Sequence, residues 1–323
     1  TSIGDFAFSG CTGLTSINIP DGVTSIGNYA FSDCTSLNSI TIPDSVTTIG
    51  NYAFNGLNNL SEVVIPANVK KIEDRAFCGW RYYSNETTSL IFDEGSQLTS
   101  IGKRAFAGGN FDLLSLPNSV EFLGEEAFVG CCQLTYVSLS NRLKEINISA
   151  FDNCENLQSV FIPEGITTIK ENAFSYCESL TRVEFPKSVT TIEYGAFSKS
   201  GLKKVVLHES LENLSHSFAY CPNLKTVEYN SINCSTTENA HESTFSFRSP
   251  FYDSPVEKII IGNSVEVIPN GLFADIDTLS SNKIFIPASV KRINDAAFRN
   301  SNGTEIEFEN PGEIVEIGIE TFR

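Results

Sequence analysis

Methionine is absent from all 323 residues, and the chain opens on Thr1. A trimmed or mature fragment is expected to look this way, with any secretory leader out of view. Cations are scarce: 22 Lys and Arg stand against 39 Asp and Glu, a formal charge of −17. Binding nucleic acid through its phosphates needs the opposite balance, because that affinity comes from Lys and Arg. An anionic membrane surface is disfavoured for the same reason. No apolar run approaches the ~18–20 residues of a membrane span. Histidine is rare, and His208, His216 and His241 share no metal-like spacing. There is no Cys-x-x-Cys pair for zinc. A Gly-x-Ser-x-Gly elbow, a phosphate loop and a His-Glu-x-x-His helix are also missing. The acids are many but scattered, as at Asp21, Asp44, Glu164 and Glu193, which suits a solvated surface rather than a catalytic pair. No cofactor, no metal and no catalysis are expected.

What is present is a repeat. Hydrophobic residues make up 41% of the chain, enough for a continuous core. The pair Ala-Phe recurs at Phe8, Phe31, Phe54, Phe77, Phe106, Phe128, Phe151, Phe174 and Phe197, with variants at Phe218, Phe273, Phe298 and Phe322. Most spacings are 22 or 23 residues, and about thirteen rungs fit. Around each Phe the same frame returns, as in Leu14, Ile17, Ile19, Pro20, Val23, Ile26, Ala30, Phe31 and Cys34. The alternation at Leu-x-x-Ile-x-Ile-Pro predicts a half-buried strand that the proline stops. Val-x-x-Ile, usually followed by Gly, predicts a second short extended piece. Ala-Phe-x-x-Cys has the spacing of one tight helical or 3-10 turn. A unit this small cannot bury its own apolar face, so neighbours must stack. The expected fold is a single repeat solenoid over residues 1–323, built mostly of short parallel strands.

This frame resembles the leucine-rich repeats of the Treponema pallidum type, found in BspA-like surface proteins. The resemblance rests on Leu-x-x-Ile-x-Ile-Pro-x-x-Val-x-x-Ile-Gly-x-x-Ala-Phe-x-x-Cys, nearly intact from Leu14 to Cys34 and from Leu37 to Phe54. It implies a secreted or surface-anchored adhesion scaffold for proteins or glycans of host matrix or neighbouring cells. Two other readings stay open. One is an assembly module that self-associates through its ends, since no polar capping unit is visible at either end. The other is a polysaccharide-acting enzyme of β-helix type, which would need a charged cluster that the outward positions do not provide.

Six of the nine cysteines, Cys11, Cys34, Cys131, Cys154, Cys177 and Cys221, fall three residues after the Phe. They are expected to form a column of buried thiols. Cys78, Cys132 and Cys234 lie outside it. The repeat breaks near 80–89 and 230–253. The first break holds Trp80, Arg81, Tyr82 and Tyr83, residue types that anchor interfaces. The second holds His241, Phe245, Phe247, Arg248, Phe251 and Tyr252. Each reads either as packing around a degenerate rung or as a docking loop. Along the strands, the residue between the two inward positions points out. Central rungs place Val64, Ile91 and Phe161 at that outward position, and Leu113 and Tyr136 two residues earlier in their rungs. With the Trp80–Tyr83 segment, these are the candidate partner-binding residues, because contiguous exposed apolar surface marks interaction sites.

Overall fold

The computed structural model describes residues 1–79, 87–236, 249–276, 278, 283–301 and 305–323. Every strand is short and every named pairing is parallel, with about thirteen turns in all. The chain divides into two compact units, Thr1–Pro163 and Glu164–Arg323. In each unit a turn contributes two strands and one looped corner.

In the first unit the Val-x-x-Ile positions form a six-stranded sheet that runs from Ser2–Ile3 through Ser25–Ile26, Thr48–Ile49, Lys71–Ile72 and Ser100–Ile101 to Phe122–Leu123. Residues one repeat apart sit side by side, as with Ile26 and Ile49. The second unit repeats this with Thr168–Ile169, Thr191–Ile192, Asn213–Leu214 and Ser235–Thr236.

The Phe residues form the spine. Within the first unit Phe8, Phe31, Phe54, Phe77, Phe106, Phe128 and Phe151 stack at ring-centroid spacings of 5.0–5.4 Å. That spacing follows from the ~4.8 Å rise between strands, with the rings offset rather than eclipsed. In the second unit Phe174, Phe197, Phe218, Phe251, Phe273, Phe298 and Phe322 also stack, at 5.3–6.1 Å. Phe251 thus belongs to the spine and is fully buried, so this part of the second break is a degenerate rung and not a docking loop. Residues 237–248 of that break, including His241, Phe245, Phe247 and Arg248, lie outside the described residues, as do Trp80, Arg81, Tyr82 and Tyr83.

The Ala-Phe corner is tight but is not a helix. Its amides alternate in purpose. Tyr29, Phe31 and Asp33 donate to Asn51, Ala53 and Asn55 of the next turn at 2.8–2.9 Å. Between them Ala30, Ser32 and Cys34 donate three residues back, to Gly27, Tyr29 and Phe31. Facing alternate amides outward requires left-handed backbone two residues before and after the Phe. Tyr29 and Asp33 have φ of 55° and 58°. This conformation costs about 1–2 kcal/mol for a residue with a side chain, and a hydrogen bond to the neighbouring turn offsets it.

The cysteine column forms as expected, with Cys34, Cys131, Cys154, Cys177 and Cys221 buried. All nine cysteines are free thiols, and Cys11 in the first turn is exposed. Cys34 Sγ donates to Phe8 O at 3.0 Å and Cys221 Sγ to Phe197 O at 3.1 Å, which satisfies a spine carbonyl. Burial pushes the Cys34 and Cys154 thiols up, and lifts Cys221 to about 11.

Candidate interaction face

The outward strands of the first unit form three separate sheets. Ser16–Asn18 pairs with Ser39–Thr41, and Glu62–Ile65 pairs with Ser89–Phe92. Leu113–Ser115, Tyr136–Ser138 and Ser159–Phe161 make the third. Alternation along each strand sorts the side chains. Val63, Leu114 and Val137 are buried, while Leu113, Tyr136 and Phe161 stand out at 57%, 40% and 57% exposure. Ile91 on the neighbouring sheet is 42% exposed, and Val64 beside it is half-buried. Leu113 lies directly opposite Tyr136, and Phe161 lies opposite Ser138, one step diagonal from Tyr136. The structure therefore brings four of the predicted residues onto one outward face. Val64 contributes little surface there.

The sheets part between Ser89–Phe92 and Leu113–Ser115 for a reason written in the corner before them. Most other turns place the next core Leu six residues after the Phe, as Leu134 follows Phe128. After Phe106 the chain is one residue short, and Phe111 takes the Leu position. Phe111 is fully buried and meets Phe106 and Phe128 edge-on at 6.5 and 6.1 Å. Gly109 makes room for it: a Cβ there would lie 2.3 Å from the Phe111 ring. A bridge joins Thr88 to Phe111. Continuing that register would set inward Leu90 against outward Leu113. A one-residue slip sends side chains to the wrong face, so the ladder stops and the strands diverge.

The divergence opens a groove of about 570 Å³ lined by Leu90, Ile91, Phe92, Asp93, Gly95, Ser96 and, across from them, Leu113, Ser115, Leu116, Pro117, Asn118 and Ser119. Its size lies within the range of small-ligand pockets, ~300–1,000 Å³. Among the described residues no Lys or Arg lines it. Asp93 takes the place that Pro66 and Pro117 hold in the adjoining turns.

A second surface was not legible as a site in the repeat frame. The left-handed position two before the Phe carries Phe6, Tyr29, Tyr52, Arg75, Arg104 and Glu126. Phe6 stacks on Tyr29 at 4.8 Å and Tyr29 on Tyr52 at 4.6 Å. The Arg75 guanidinium lies over the Tyr52 ring at 5.3 Å, and Arg104 pairs with Glu126. These groups satisfy one another, so the ladder reads as structural. The signal was the aromatic run two residues before each Phe.

Among the described residues no cluster of three or more His, Cys, Asp or Glu could hold a metal ion. Among them too, no helix is long and apolar enough to cross a membrane.

A family model described as BspA type leucine rich repeat region matches residues 1–93, 99–225, 144–250 and 247–323. A leucine-rich repeat protein of Bacteroides ovatus is similar, with 27% identity over 99% of this chain and 80% of that one, at a TM-score of 0.65. A leucine-rich repeat protein of T. pallidum shares 27% identity over 56% of this chain and 71% of that one, at a TM-score of 0.40. The pneumococcal vaccine antigen PcpA shares 21% over 91% and 79%, at a TM-score of 0.46. No curated protein matches. With family matches over nearly the whole length, and the Phe spine and paired short strands to go with them, the chain belongs to the BspA-type leucine-rich repeat family.

Proposed function

We propose that this chain is a binding scaffold of the cell surface or extracellular space, and that it engages proteins or glycans of a host matrix or of other cells. The observation that carries the reading is the outward run of Ile91, Leu113, Tyr136 and Phe161, large apolar side chains left in solvent on neighbouring strands. Soluble proteins keep such patches small unless something covers them. Tyr is also among the side chains that concentrate binding energy. Family membership supports a repeat scaffold, and the free acidic charge keeps such an array soluble. The role is non-catalytic.

The test is a binding screen of the purified chain against matrix proteins, serum proteins and surface glycans, run beside the Tyr136→Ser/Phe161→Ser double variant. A saturable partner that the folded variant loses is the expected result. No partner at micromolar protein, or equal binding by both, overturns the strand-face reading.

A further inference from the structure

We propose that the groove between Ser89–Phe92 and Leu113–Ser115 binds a short extended segment of a partner polypeptide that carries a lysine or arginine. The inference deepens the strand-face reading and rests on it.

Main-chain geometry supplies the first argument. In a parallel strand, alternate residues aim both their N–H and C=O to the same side. Ser89 and Asp93 donate to Ser61 and Ile65 of the preceding turn, whereas Thr88 donates forward to Asn110. Leu90 and Phe92 share the parity of Thr88, so their amide groups face the groove. Across it, Tyr136 donates back toward Asp112, and Leu113 holds the matching place in its own turn. Leu113 and Ser115 therefore aim their amides into the groove from the other wall. Among the described residues these two strands pair with their outer neighbours and not with each other. The walls meet at the Thr88–Phe111 bridge and the groove lies beyond it, along 90–96 and 113–119, where unpaired strand edges suit the end of an added strand.

Side-chain chemistry supplies the second. Ile91 and Leu113 give the walls an aliphatic surface that suits the methylene stem of a long cationic side chain. Asp93 puts a carboxylate in the same groove, and among the described residues no Lys or Arg lines it. Glu94 follows the first strand and Asp112 precedes the second, and both are exposed acids. Charge complementarity of this kind selects a basic partner and rejects an acidic one.

The probe is a fluorescein-labelled heptapeptide of alternating Lys and Val, compared with its Glu-for-Lys counterpart and with a copy N-methylated at alternate residues. Fluorescence anisotropy is read on the wild type, Asp93→Asn, Asp21→Asn and Tyr136→Ser/Phe161→Ser. The Lys peptide should bind. Asp93→Asn should weaken it about tenfold, while Asp21→Asn, which removes the same charge elsewhere, should leave it unchanged. N-methylation should abolish binding. Equal loss in both Asp variants means diffuse attraction to an acidic protein and overturns the proposal, as does equal binding of the Glu or N-methylated peptide. The double variant should keep the peptide. If peptide binding fails while a macromolecule still binds the strand face, the groove proposal falls and the face reading stands. If the peptide binds but the screen finds no macromolecular partner, the reverse holds.

Discussion

Between positions 91 and 161 the first unit turns Ile91, Leu113, Tyr136 and Phe161 outward. On the second unit, the strands Lys204–Leu207, Thr226–Tyr229 and Lys258–Ile261 turn out Lys204, Glu228 and Lys258 beside Val206 and Ile260. There Lys204 pairs with Glu228 at 2.9 Å, and the nearby Lys225 pairs with Glu257 at 2.6 Å. Further along, Lys283 reaches Glu305 and Glu307 at 3.3 and 3.6 Å. The repeat dictates the same backbone and the same spine in both units. The outward positions carry no packing duty, so they are free to diverge. One face pairs most of its charges within the chain. The other offers exposed apolar area.

The comparison has a shared half, the spine, and a divergent half, the face. The largest test strikes the shared half. Phe106→Ala and Phe197→Ala each remove a fully buried ring stacked on both sides, and each should cost about 3–5 kcal/mol by urea unfolding. A cost below 1 kcal/mol in one unit alone would break the claim of a common spine.

The next test uses the thiol column. Burial raises Cys221 to about 11 and Cys234 to about 12, and lifts Cys34 and Cys154 as well. A raised thiol pKa means the folded state holds its proton after the unfolded chain has lost it. The stability this gives is complete below the ordinary thiol value of 9.0 and drains away as pH climbs toward 11. Cys221 alone should account for about 2–3 kcal/mol between pH 8 and 11. Cys221→Ser should flatten that alkaline slope, read as urea midpoints across the range.

The smallest effect belongs to the second face. Lys204→Ala removes an exposed ion pair and should change stability by under 1 kcal/mol. Added salt should erase even that difference. A cost above 2 kcal/mol would show that the charged face holds up the fold.

Much of this was legible in the residues. Leu14 through Cys34 specify strand, corner and buried column, and the alternation placed Leu113, Tyr136 and Phe161 outward correctly. What stayed hidden depended on comparing turns rather than reading one. Phe251 was masked by the loss of its Ala partner and by the extra residues before it. The left-handed positions at Tyr29 and Asp33 arise from hydrogen bonds between turns, which leave no propensity signature. The groove escaped because it springs from one missing residue after Phe106, whose effect appears on a different strand.

That missing residue has a counterpart. After Phe197 the chain is again one residue short, with Leu202 following at five, and Gly201 sits where a Cβ would lie 2.0 Å from Glu178 O. There too the outward sheet is interrupted, since residues 181–186 form no strand before Lys204–Leu207 begins the next one. At both corners, after Phe106 and after Phe197, the short spacing accompanies a break in the outward sheet while the Phe spine runs on through it.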